Sequence, residues 1–151
     1  MLKPYFKDQD GPPPLKAACR RVVRLEEVDA LGIVWHGRYP SYFEDGREEL
    51  GRRFGLGYTA FSAVGVILPI RRLTVDYLSP LKYLEEMTIE ADLHWNEAAR
   101  LNIAYRVFGA DGRLAASGAT VQMMVDTDGG LLLEAPAFYR DFQARWREGR
   151  L

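Results

Sequence analysis

The most constraining feature of this sequence is a switch in hydrophobic period partway along the chain. Tyr39, Tyr42, Phe43, Gly46, Leu50 and Phe54 recur at helical spacing. Glu44, Asp45, Arg47, Glu48, Arg52 and Arg53 fill most of the positions between them, so the pattern predicts an amphipathic helix from about Tyr39 to Phe54. Further on, Met87, Ile89, Ala91, Leu93 and Trp95 alternate with Thr88, Glu90, Asp92 and His94, the period-two signature of a strand with one buried face. A chain with one long apolar-striped helix and several one-faced strands buries both stripes by curling an antiparallel sheet, its strands meandering in chain order, around the helix, an α+β arrangement.

The other elements follow from the same two periods. Val22, Val23 and Leu25 predict a first strand over residues 17–26, interrupted by Arg20, Arg21 and Arg24. Leu73, Val75 and Tyr77 alternate with Arg72, Thr74 and Asp76 in a strand with one buried face, and Ser79-Pro80 ends it. Leu101, Ile103, Tyr105 and Val107 form another strand, and Gly109-Ala110-Asp111-Gly112 is a hairpin turn into the strand that starts at Arg113. The count is about five antiparallel strands, with the long helix between the first and second. Pro136 precedes a C-terminal helix over Ala137 to Arg147. Residues 1–16, with Pro12-Pro13-Pro14, read as an arm lying on a surface or on a neighbouring subunit, ahead of a single domain over residues 17–151.

Composition excludes several functions. With 20 basic and 21 acidic residues and a net charge of -1, nothing points to nucleic acid or an anionic membrane as the main partner. A single cysteine, Cys19, rules out an internal disulfide and a thiolate zinc cluster and fits a reducing cytosol. Two distant histidines argue against a metal site. The N-terminus lacks the apolar core of a secretory signal.

The chemistry concentrates between Glu26 and Glu48. Asp29 precedes an apolar turn, Leu31-Gly32-Ile33-Val34-Trp35, and then the helix start. A carboxylate in such surroundings is partly desolvated, suited to act as nucleophile or general base. Pro40 belongs in the first helical turn, where its missing N–H costs nothing. The amides of His36 and Gly37 are then left free to bind an oxyanion. The alternative role for Asp29 is an ordinary turn residue bonding nearby amides, and for His36 a packed or capping side chain. His94 follows the outward phase of its strand and reads as a surface residue.

The spacing D29-x-x-G32-I33-V34-W35-H36-x-x-Y39-x-x-Y42-F43-E44, with Y77-L-S-P80 later, resembles the 4-hydroxybenzoyl-CoA thioesterase family of hotdog-fold proteins, which includes the YbgC-type acyl-CoA thioesterases. The resemblance implies a hotdog fold and hydrolysis of an acyl-CoA thioester, with no cofactor beyond the coenzyme A that belongs to the substrate. It makes Asp29 the catalytic carboxylate, with His36 beside it and the backbone amides of His36 and Gly37 as the oxyanion hole. Trp35, Tyr39 and Glu44 become candidate substrate contacts, and Arg71, Arg72, Arg100 and Arg113 candidates for the coenzyme A phosphates. It also implies a homodimer or a dimer of dimers with the site at the subunit interface. The chain departs from the hydroxybenzoyl-CoA enzyme after Trp95, where Asn96-Glu97 replaces a pair of arginines. A carrier-protein thioesterase and a non-hydrolytic acyl-CoA binding module are therefore the rival readings.

Overall fold

The computed structural model describes residues 3–151. Strand β1 (Leu15–Val22) leads through two short helical turns to helix α1 (Tyr39–Phe54) and the one-and-a-half-turn α2 (Tyr58–Ser62). Then come β2 (Val66–Ile67), β3 (Ile70–Tyr77), β4 (Glu86–His94), β5 (Arg100–Phe108), β6 (Leu114–Met123), β7 (Val125–Asp126) and α3 (Ala137–Arg147). The five long strands make one antiparallel sheet in the order β1-β4-β5-β6-β3, while β2 pairs with β7 outside it. Both long helices occupy the residues that their apolar spacing predicts.

Helix α1 crosses the inner face of this sheet. Gly46 is the point of closest approach, where a Cβ would stand 3.1 Å from Ile89 and 3.3 Å from Ala91. The Phe43 ring stacks on Tyr105 with centroids 4.7 Å apart, and Gly118 of β6 lies beneath Phe43. The helix ends at Gly55 in the left-handed conformation (φ 70°), its N–H bonded to the Gly51 carbonyl. At the far end of the core α3 lays Tyr139, Phe142 and Trp146 inward, with Trp146 packed edge-on against Trp95.

Three expectations change. The first strand is Leu15–Val22 and not 17–26, because the chain turns at Leu25–Glu27. Its inward side carries Ala17, Cys19 and Arg21, whereas Val22 is 43% exposed. Arg21 is accommodated by an ion pair with Asp45 and by lying over the Tyr42 ring. Second, the sheet does not follow chain order, since β3 leaves for the far edge beside β6. The face predicted as buried on β3 is open in the isolated chain: Leu73 is 44% and Tyr77 53% exposed. Third, His94 faces outward as its phase requires but is half-buried, because Phe6 covers it at 5.2 Å; that burial lowers its pKa.

Residues 3–14 carry no regular element and lie along the outer face of the chain's own sheet. The Tyr5 hydroxyl donates to Asp76 (2.5 Å) and shares a hydrogen bond with Ser117 (2.6 Å), and Trp146 Nε1 donates to the Pro13 carbonyl.

Gly118→Ala places a methyl 2.4 Å from both the Phe43 ring and the Thr74 carbonyl. The expected loss is roughly 1–3 kcal/mol of folding stability, read from urea unfolding midpoints. An unchanged midpoint would refute the close helix–sheet approach.

Candidate functional site

The segment from Glu27 to Arg38 is a closed loop held by its own backbone. Asp29 N–H bonds the Ile33 carbonyl (2.9 Å) and Gly32 N–H the Asp29 carbonyl (3.0 Å), and Gly32 takes a left-handed conformation at φ 76°. Trp35 N–H bonds the Glu27 carbonyl (2.9 Å), and Val34 N–H bonds the Leu81 carbonyl (2.8 Å), which fastens the loop to the segment after β3. At its centre the half-buried Asp29 uses Oδ1 to accept the Leu31 N–H at 2.8 Å. Oδ2 has no hydrogen-bond partner among the described residues. The turn role and a carboxylate oxygen without a protein partner among the described residues thus coexist in one side chain.

His36 to Arg38 form a 3₁₀ turn that runs directly into α1, with Pro40 in the first turn of the helix. The N–H groups of His36 and Gly37 have no acceptor among the described residues, as expected for the open end of a helix. Their peptide carbonyls are both engaged: Trp35 C=O accepts the Arg38 N–H (2.9 Å), and His36 C=O accepts the Tyr77 hydroxyl (2.6 Å). Bonding a peptide's carbonyl polarises its N–H, so both free amides are strengthened as donors. Gly37 is required by contact, since a Cβ there would meet the Trp35 ring at 2.3 Å.

Asp29, His36 and Tyr39 line one cleft of about 410 Å³. Its remaining wall is apolar apart from Tyr77 and Ser79, with Leu31, Ile33, Val34, Leu78 and Pro80 contributing. The Tyr39 ring meets Tyr77 edge-on at 5.3 Å, and burial raises the Tyr39 hydroxyl to about 12. Tyr77 joins the site from β3, an element remote in sequence. The sequence signal was its place in the Tyr77–Pro80 motif.

The other candidates lie elsewhere in the single chain. Trp35, 47% exposed, stacks obliquely with His36 at 5.0 Å and is outside the cleft wall. Glu44 is exposed on the second turn of α1, where it accepts the Tyr58 hydroxyl at 3.2 Å. That hydroxyl also accepts from Gln122, whose carbonyl oxygen takes the Nε–H of the buried Arg47. Arg113 is committed to Glu85, Asp111 and the Pro80 carbonyl. Arg71, Arg72 and Arg100 gather on the outer face of the sheet, around a separate cavity. A further cleft of about 860 Å³, beside the C-terminal half of α1, contains none of the predicted site residues.

Comparison with known proteins identifies the family and the fold. The model of the thioesterase-like superfamily matches residues 23–146, and the chain belongs to that superfamily. It is similar to the acyl-CoA thioester hydrolase YbgC of Escherichia coli, 26% identical over 104 residues that span 69% of this chain and 78% of that protein. A chloroplast acyl-acyl carrier protein thioesterase of Arabidopsis thaliana is 30% identical over 86 residues, 57% of this chain and 45% of that protein. Among solved structures, DHNA-CoA thioesterase from Staphylococcus aureus superposes with a TM-score of 0.77 at 24% identity, covering 90% of this chain and 96% of that one. The shared fold is the hotdog fold. Among the described residues no helix is long and apolar enough to cross a membrane.

The raised Tyr39 pKa has a checkable sign. The unfolded tyrosine ionises near 10 and the folded one near 12, so its contribution to stability is complete below pH 10 and is lost as pH rises through that window. Wild type is expected to lose more stability than Tyr39→Phe between pH 9 and 11, measured by urea unfolding. Equal losses would contradict the burial of this hydroxyl.

Proposed function

We propose that the chain is a thioester hydrolase acting on acyl-CoA, with Asp29 as the reacting carboxylate. The observation that carries this reading is the single cleft shared by Asp29 and His36, where free helix-end amides meet an apolar wall. The thioester carbonyl oxygen accepts hydrogen bonds from the His36 and Gly37 amides, and the helix end stabilises its developing negative charge. Asp29 Oδ2 attacks the carbonyl carbon, the C–S bond breaks, and the thiolate of coenzyme A leaves and is protonated by water. Water then hydrolyses the mixed anhydride to the free acid and restores the carboxylate. The Leu31 N–H on Oδ1 orients the attacking oxygen. In the competing form of the same chemistry Asp29 deprotonates a water that attacks directly. Coenzyme A enters as part of the substrate and no cofactor is invoked. The apolar wall, together with Tyr39, is the place for the acyl chain, and Arg71, Arg72 and Arg100 are the cations offered to phosphate.

The open edge of β3, with Ile70, Leu73 and Tyr77 each more than two-fifths exposed, supports edge-to-edge pairing of two copies into a homodimer, doubled in a tetramer. Such pairing covers the apolar face that the sequence pattern expects to be buried and brings the Asp29 cleft to the subunit boundary. Glu44 is exposed in the single chain and free to act there. An acyl group on a carrier protein is the second reading, favoured by the similarity to the chloroplast carrier-protein thioesterase. A pure binding module has no use for a carboxylate in the thioester cleft.

Asp29→Asn is expected to lower kcat for acyl-CoA hydrolysis by about 10²–10⁴-fold with the fold intact. Activity within a few-fold of wild type would sink the assignment. In a single turnover in oxygen-18 water, label appearing in the Asp29 carboxylate marks the nucleophilic route and its absence the general-base route. Tyr77→Phe keeps the ring and removes only the bond to the His36 carbonyl. It is expected to lower kcat roughly tenfold with KM little changed, because the weakened donor acts on the transition state. A change in KM alone would make Tyr77 a binding contact.

A further inference from the structure

Next to the Asp29 cleft, and separate from it, lies a groove of about 420 Å³ walled in part by Val22, Leu25, Tyr83 and Leu84. These side chains stand in water: Leu25 is 68% and Leu84 65% exposed, and Val22 and Tyr83 are each more than two-fifths exposed. Leu84 is also, among the described residues, the one residue other than glycine with a left-handed backbone (φ 65°). A residue with a Cβ is disfavoured there, and an exposed leucine gains nothing from burial to offset it. Glycine or asparagine suits the position better on both counts. The turn is held all the same, by Leu84 N–H on the Val23 carbonyl (3.1 Å), Glu85 N–H on the Lys82 carbonyl (3.1 Å) and Val23 N–H on the Glu85 carbonyl (3.0 Å). Backbone strain that its surroundings enforce gathers at binding sites.

Position and charge narrow the use of this groove. The Leu81 carbonyl accepts the Val34 N–H (2.8 Å) and Lys82 bridges to Ile33, so the segment that carries Tyr83 and Leu84 runs on directly from the residues backing the cleft wall. Leu84 is three residues beyond Leu81, at most about 10 Å of chain. Arg21 and Arg24 line the groove and no carboxylate does. Arg21 is answered by Asp45 and Glu27, but Arg24 reaches only Glu26, at 4.0 Å, with both side chains about two-thirds exposed. Lys82, exposed and adjacent to Tyr83 in sequence, has no carboxylate partner among the described residues. Strands β1 and β3 are opposite edges of the sheet, so pairing of two copies through β3 does not draw on a groove built at the end of β1.

We propose that this groove is the docking site of an acidic carrier protein that presents the acyl group as a thioester on a phosphopantetheine arm. The apolar side of a carrier helix covers Val22, Leu25, Tyr83 and Leu84, and its carboxylates meet Arg24 and Lys82. The arm then passes over the Leu81–Lys82 segment into the Asp29 cleft. A free acyl-CoA brings no protein surface to bury in the groove, so the groove acts on the carrier-linked substrate alone. What the arm delivers rests on the thioesterase reading; the docking itself rests on the groove.

The test is calorimetric titration of the full chain with an acyl carrier protein whose phosphopantetheine arm bears no acyl group, so that binding is read without turnover. Wild type is expected to bind it saturably, more weakly as salt rises. Leu84→Asn removes the apolar tip and suits the left-handed backbone. It is expected to raise the urea unfolding midpoint while weakening carrier binding roughly tenfold. Arg24→Glu is expected to weaken binding by a similar factor, and Arg53→Glu, at an exposed arginine of α1, to leave it unchanged. With one acyl group offered both on the carrier and on coenzyme A, the ratio of the two kcat/KM values is expected to fall roughly tenfold in Leu84→Asn and Arg24→Glu. No saturable binding by folded wild type, or binding and ratio unchanged in both variants, overturns the proposal. So does a changed number of subunits in Leu84→Asn, or wild-type binding to anionic lipid vesicles that Leu84→Asn abolishes, since these outcomes assign the groove to a second copy or to a lipid surface. If the carrier binds as expected and neither thioester is hydrolysed, the docking site stands and the thioesterase reading fails.

Discussion

Everything in this molecule depends on how closely α1 lies against the sheet. The contact is made where side chains are missing, at Gly46 on the helix and Gly118 on β6, so that Phe43 fits flat against Tyr105 between them. Interiors are packed too tightly for such an approach to relax by even a methyl group without cost. Because the helix is held there, its N-terminal end and the loop feeding it cannot drift. The cleft is a consequence of that placement, and so is its apolar wall.

The loop that enters α1 is tied down independently at each end. Glu27 fixes the entrance, accepting the Arg24 N–H on a carboxylate oxygen and the Trp35 N–H on its carbonyl while pairing with Arg21 of β1. Tyr77 fixes the exit by donating to His36. Asp29 stands between, on backbone bonds that involve no long side chain. A carboxylate and two free amides are thereby presented together without either depending on a flexible group, which is what stabilising charge in a transition state asks of a site.

Charge is distributed with the same economy. Arg21, Arg52, Arg106, Arg113 and Arg147 meet carboxylates, and the buried Arg47 is engaged by Gln122 and the Leu56 carbonyl. The outer face under the arm is different, with cations left unanswered and polar atoms left bare. The two faces of one sheet thus carry different chemistry. The inner one packs on the helix beside the Asp29 cleft, and the outer one is polar and basic.

The helices, the hairpin at Gly109 to Gly112 and the strands flanking it were legible from period and turn residues alone, since each is a local pattern of burial. So was the grouping of Asp29 with His36, Gly37 and Tyr39, which are close in sequence and need only a turn to converge. The first strand was misplaced because its inward positions are Ala17, Cys19 and Arg21, and an inward arginine reads as polar until Asp45 and Tyr42 are seen around it. Strand order was illegible because alternation states that a strand has an inner face and is silent about its neighbours. Tyr77 reaches His36 from 41 residues away, and the arm reaches Asp76 and Ser117 from farther still. The sequence by itself determined the helices, most of the strands and the loop that carries Asp29, through local periodicity and turn chemistry. Only the tertiary structure decided which strand lies at the open edge, which arginines remain unpaired and which hydroxyl braces the amides, because those are contacts between segments whose separation in sequence carries no distance.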